Sequence, residues 1–259
     1  MTRNLKYEFA GNSNSKGKVK MNFKYLIPSC FTFFSLIIGL FAIENVILGN
    51  FILASWLITL CMLMDLWDGK IARKLDASTP FGAELDSLVD IICFGLAPCI
   101  LLYFFALQFL PVFGKIVIGI YMIASSYRLA RFNSQLNSDT LEQKHNFVGL
   151  PITAAAGFLV SYVIFASKVE HKSVIVYSAF FVIFTSILML SKVEFLVFNI
   201  HKNPKVKRYL IIVLTIASIK FSYLVYFGCM TIYLCFNITK GFVALAQAHH
   251  HKVDKLHHR

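Results

Sequence analysis

Asp65-Leu66-Trp67-Asp68-Gly69-Lys70-Ile71-Ala72-Arg73, followed after eight residues by Gly82-Ala83-Glu84-Leu85-Asp86-Ser87-Leu88-Val89-Asp90, sets paired acids inside an otherwise apolar region. Six of the thirteen Asp and Glu of the chain lie between positions 65 and 90. Carboxylates at membrane depth are costly to bury, so they are functional candidates by default. Asp65 and Asp68 are three apart and share a helix face, and Gly69 follows one turn after Asp65. Gly82, Asp86 and Asp90 repeat every four residues and make one stripe on the next helix. A turn with Asp76, Ser78 and Pro80 joins the two helices, so the stripes can face each other across an antiparallel pair.

Four carboxylates converging in this way repel strongly unless cations sit between them. Oxygen-only ligation suits Mg2+ or Mn2+. Asp65, Asp68, Asp86 and Asp90 could bridge two such ions, a recurrent answer to phosphoryl displacement. Gly69 and Gly82 lack side chains and let a bulky ligand approach the helix backbones, and Ala72 keeps the same clearance. Arg73 sits at the cytoplasmic end and could meet a phosphate. Asp76 and Glu84 read equally well as a solvated helix end paired with Lys70, Arg73 and Lys74.

The apolar surroundings extend along almost the whole chain. Of its 259 residues 58% are hydrophobic and 15% charged, and the mean hydropathy is +0.68. Soluble domains are nearer half apolar and a quarter charged. The expected fold is an all-α, polytopic transmembrane bundle. Its spans fall near 25–46, 50–72, 81–107, 111–132, 150–168, 173–191, 207–220 and 222–240, since a spanning helix needs roughly 20 apolar residues. The first six form the core. The last two come from splitting one long apolar region at Lys220-Phe221-Ser222, and seven spans remain an alternative. The domain reading is a basic cytoplasmic segment over 1–24, a membrane domain over 25–240 and a His/Lys-rich cytoplasmic tail over 241–259.

Charge supports eight spans with both termini in the cytoplasm. With that orientation all but four of the 25 Lys and Arg fall inside, the exceptions being Lys115, Lys168, Lys172 and Lys220. The net charge of +12 is then an orientation signal that also draws anionic lipids and an anionic substrate. The basic residues are spread over separate loops, which argues against nucleic acid as a partner. The six cysteines show no CxxC spacing and read as small buried hydrophobes. The tail histidines, His249, His250, His251, His257 and His258, read as part of a solvated basic tail rather than a metal site. The N-terminus does not look like a cleaved signal, because its polar stretch runs to Lys24 and the first apolar run is long enough to span.

The two quoted segments together resemble the signature of the CDP-alcohol phosphotransferases, with all eight signature positions filled. The resemblance implies that a CDP-linked alcohol, usually CDP-diacylglycerol, gives its phosphatidyl group to a hydroxyl acceptor and releases CMP. It implies that Asp65, Asp68, Asp86 and Asp90 hold the divalent metals and that Asp90 is the base for the acceptor's hydroxyl proton. It also implies that Gly69, Ala72 and Gly82 line the cytidine nucleotide pocket, with Arg73 beside it, and that the enzyme is a homodimer.

Three further segments resemble the phosphatidylserine synthase branch: residues 78–98, Arg128-Leu129-Ala130-Arg131-Phe132-Asn133, and Phe147-Val148-Gly149-Leu150-Pro151 with Thr153 and three alanines. In that branch the acceptor is L-serine. Pro28-Ser29 with Thr32 stands where the branch usually has Pro-Asn with Thr, and Thr32 is expected to touch nucleotide or phosphate. Cys93 stands where a serine is common. Arg128 and Arg131, three apart at the cytoplasmic end of the fourth helix, could pair with a carboxylate or a lipid phosphate. Their alternative reading is orientation-setting charge. Gly149 is expected in a tight turn entering the fifth helix. Other acceptors for the same chemistry are glycerol phosphate, an inositol phosphate or choline. A divalent-cation transporter is the alternative from another class, since intramembrane acids also line ion paths. The expected location is the cell membrane, with the site facing the cytoplasm.

Overall fold

The computed structural model describes residues 23–75, 79–136, 147–168, 173–191, 194–195 and 223–241. The expected span over 207–220, most of the N-terminal segment and nearly all of the tail lie outside the described residues. The described chain is helical. Helix α1 is Phe23–Ile47, α2 Phe51–Leu75, α3 Pro80–Asp90, α4 Ala97–Phe105, α5 Phe113–Leu136, α6 Ile152–Ala166 and α7 Val174–Leu190. Helix α8 covers 223–241. A two-residue antiparallel pair, β1 (Phe147–Val148) with β2 (Glu194–Phe195), is the one departure from an all-α reading among the described residues. It ties the segment before α6 to the segment after α7.

Local chemistry sets the boundaries. Helix α1 ends where Gly49 takes φ +79°, a left-handed conformation that favours glycine. Asn50 N–H donates to the Asn45 carbonyl at 2.8 Å, closing a tight hairpin into α2. Thr79 caps α3: its Oγ1 accepts from Gly82 N–H at 3.0 Å, and Pro80 takes the first helical position. Pro80 therefore belongs to the helix and not to the connecting turn.

Helices α3 and α4 form one continuous rod through a π-helical turn, Ile91–Leu96. Pro98 has no N–H to offer the Phe94 carbonyl, and the Tyr121 hydroxyl on α5 donates to that carbonyl instead, at 3.0 Å. A wider turn at this point shifts the phase of every residue beyond Asp90. The acidic stripe thus ends where the regular helix ends.

Helix α1 packs along α2, α2 along α6, and α5 along α7. An aromatic cluster of Phe158, Tyr162 and Phe165 on α6, Phe181 on α7 and Phe227 on α8 joins the last three helices. Large apolar side chains face outward, among them Phe33, Phe34 and Phe41 on α1 and Val176, Phe180 and Ile187 on α7. Hydroxyls lie inside: Ser125, Ser161, Ser178, Thr185 and Ser186 are all buried. Each of these finds a protein partner; Ser186 Oγ, for example, donates to the Val182 carbonyl at 2.7 Å. Among the described residues, two helical segments, Ser29–Ile47 and Phe81–Phe105, are long and apolar enough to cross a membrane. This distribution is that of a helical membrane protein, in which the solvent outside is as apolar as the core.

The cysteines divide. Cys61, Cys93 and Cys99 are buried, as expected, whereas Cys30, Cys229 and Cys235 are exposed. A thiol is apolar enough to face hydrocarbon, so hydropathy alone does not separate core from lipid-facing positions.

Candidate active site

The C-terminal half of α2 and the length of α3 bring the acids together. One carboxylate oxygen each from Asp65, Asp86 and Asp90 lie within 4.8 Å of one another, and all three residues are half-buried. Asp86 and Asp90 occupy successive turns of α3, and Asp65 faces them from α2. Unscreened by a cation, each pair at that separation costs at least ~3 kcal/mol at an effective dielectric constant of about 20. Three anionic oxygens in so small a volume, with no nitrogen or sulfur donor among them, fit a hard divalent cation such as Mg2+ or Mn2+. The side chains of Asp68, Ala72 and Arg73 lie outside the described residues.

Arg128 and Arg131 on α5 have diverged in setting. Arg128 is 6% exposed, and its Nε has no hydrogen-bond partner. Its guanidinium lies 5.6 Å from the Phe132 ring centroid and within electrostatic range of Asp90, Arg131 and Tyr233. A buried cation with an unused N–H beside the acids is suited to an anionic ligand. Arg131 reaches α7 instead. Its Nη2 donates to the Met189 carbonyl at 3.3 Å, in the last turn of α7. Gly149 takes φ +83° and lies against the same guanidinium. Leu150 N–H donates to the Leu188 carbonyl at 3.1 Å, and Pro151 immediately precedes α6. The Gly149 turn, Arg131 and the end of α7 thus form one joint beside the site.

The remaining sequence candidates are spread around the acids. Thr32 is buried on α1. Gly69 lies on α2 one turn beyond Asp65, and Gly82 sits in the capped first turn of α3. Two residues not singled out from the sequence also bear on the site. Asn133 Nδ2 donates to Ser87 Oγ at 2.9 Å, fastening α5 to the residue next to Asp86. Tyr233 reaches the neighbourhood of Arg128 from α8. The only sequence signal for it was a pair of polar residues, Tyr233 and Asn237, four apart on an apolar helix.

The family model for CDP-alcohol phosphatidyltransferase matches residues 25–191. CDP-diacylglycerol–serine O-phosphatidyltransferase of Helicobacter pylori (strain ATCC 700392 / 26695) is 32% identical over 173 residues, covering 66% of this chain and 72% of that protein. The protein of the same name from Bacillus subtilis (strain 168) is 38% identical over 136 residues, 52% of this chain and 73% of that one. Archaetidylserine synthase of Methanothermobacter thermautotrophicus is 35% identical over 150 residues, covering 57% and 59% respectively.

Proposed function

Because the chain belongs to the CDP-alcohol phosphatidyltransferase family, we propose that it transfers the phosphatidyl group of CDP-diacylglycerol to the hydroxyl of L-serine. The products are phosphatidylserine and CMP. The observation that carries the reading is the convergence of Asp65, Asp86 and Asp90, with the buried Arg128 beside them. The choice of serine is supported by the names of the relatives from Helicobacter pylori and Bacillus subtilis.

Two Mg2+ or Mn2+ ions held by Asp65, Asp68, Asp86 and Asp90 would supply Lewis-acid polarisation of the pyrophosphate and charge neutralisation at the leaving oxygen. The residues of the chain do the rest. Asp90 takes the proton from the serine hydroxyl, whose oxygen forms the new bond to phosphorus. The bond from that phosphorus to the CMP oxygen breaks. Gly69, Ala72, Gly82 and Thr32 receive the nucleotide, with Arg73 beside its phosphates. Arg128 takes an anionic group of donor or acceptor, and Arg131 with Gly149 shapes the acceptor side.

In this reading the chain has eight spans, both termini lie in the cytoplasm, and the site faces the cytoplasm from the cell membrane. The membrane domain covers 25–240, flanked by basic segments over 1–24 and 241–259, and the protein works as a homodimer. The test is a panel assay of purified protein with CDP-diacylglycerol and labelled serine, glycerol phosphate, inositol phosphate and choline. Serine-dependent CMP release is expected. Release with another alcohol and none with serine overturns the assignment.

A further inference from the structure

Helix α8 lies beyond the residues that the family model matches, yet it is packed into the bundle beside the site. Its course can be traced by three contacts. The Tyr226 ring stacks on Trp56 with centroids 6.0 Å apart, and its hydroxyl lies 3.2 Å from Thr59 Oγ1. One turn later Met230 approaches Gly157 on α6 at the same place as Met62: a Cβ at Gly157 would stand 3.2 Å from Met230 Cε and 2.7 Å from Met62 Cε. Thr59 with Tyr226, then Met62 with Met230, means that α8 runs parallel to α2. Another three residues, a rise of about 4.5 Å, bring Tyr233 level with Asp65.

At that level Tyr233 lies within electrostatic range of Arg128. Asn237, 1% exposed, donates to the Tyr233 carbonyl at 3.0 Å and extends the polar stripe by one turn. Leu234, buried beside them, packs in the core. A polar stripe on an apolar helix, at the level of the acids and within range of the buried cation, has no role in lipid contact.

We propose that α8 forms a wall of the active site and that Tyr233 is a positioning residue, orienting Arg128 toward the carboxylate of the acceptor. The inference rests on serine being the acceptor. Tyr233 thereby acts on acceptor binding and leaves the nucleotide side untouched.

The test uses the full chain in mixed micelles, with steady-state kinetics in both substrates and a thermal melt. Tyr233→Phe keeps the ring and removes the hydroxyl. It is expected to raise the serine KM about tenfold, the scale of one lost polar interaction with a charged group. Its kcat, its KM for CDP-diacylglycerol and its melting temperature stay close to those of the parent. Leu234→Ala removes packing alone; it is expected to lower the melting temperature and leave the serine KM unchanged. An unchanged serine KM in Tyr233→Phe, or an equal rise in both variants, overturns this inference alone. A parent protein that uses another alcohol and not serine overturns the acceptor assignment as well, a result visible before any variant is made.

Discussion

The Nη2 atom of Arg131 occupies the space that a side chain at Gly149 would fill: a Cβ built at Gly149 stands 2.6 Å from it and 2.5 Å from the Met189 carbonyl oxygen. Three separate parts of the chain, α5, the turn before α6 and the end of α7, are therefore fitted to one another without slack. Gly149→Ala adds a methyl group into that fit and also forces a left-handed backbone, which costs ~1–2 kcal/mol by itself. The variant is expected to melt several degrees lower in detergent and to show a raised serine KM. A thermal melt with paired kinetics checks both.

The two arginines should separate under mutation. Arg128→Ala removes a buried cation next to Asp90 and is expected to raise KM for its anionic ligand roughly 10–100-fold. Arg131→Ala breaks the bond to Met189 and is expected to lower the melting temperature while raising the serine KM more than it disturbs nucleotide binding. Titration with CDP, beside kinetics in serine, distinguishes them. An unchanged serine KM would remove Arg131 from the acceptor side.

Among the acids, Asp90→Asn is expected to lower turnover by roughly 10^2–10^4-fold while largely sparing CDP-diacylglycerol binding, as loss of a general base should. Asp65→Asn is expected to weaken metal binding in addition. Isothermal titration with Mn2+ separates the roles, and equal loss of metal affinity in both would contradict the division. Chelation is expected to abolish activity in the parent, with recovery on adding Mg2+ or Mn2+.

Tyr121→Phe tests the rod formed by α3 and α4. Without the hydroxyl the Phe94 carbonyl loses this donor, and Pro98 cannot replace it. The expected cost is ~1–3 kcal/mol, the penalty for a buried unpaired polar group. Reduced thermal stability together with lowered kcat is expected, because the π-helical turn adjoins Asp90.

Much of this was legible in the sequence. Apolar run length placed helices α1 to α7 within a few residues of the expected spans, since backbone groups in hydrocarbon must be satisfied within the segment. Period-four spacing placed Asp86 and Asp90 on one stripe, facing Asp65, whereas the expectation for Asp68 lies outside the described residues. Helix geometry makes such relations local. The β1–β2 pairing and the bond from Asn133 to Ser87 were not legible, because their partners lie far apart along the chain.

The sequence by itself determined the helical class, the acidic stripes and the kind of ion they suit, because each depends on periodicity and donor chemistry alone. Tertiary structure decided which charges share the site. Arg128 and Arg131 sit three residues apart on one helix, yet one is buried beside Asp90 and the other reaches the site's edge through its bond to α7. The same packing turned α8, in sequence only an apolar run, into a neighbour of Arg128. Which neighbour an atom meets depends on how helices cross, and no spacing along a single chain encodes that.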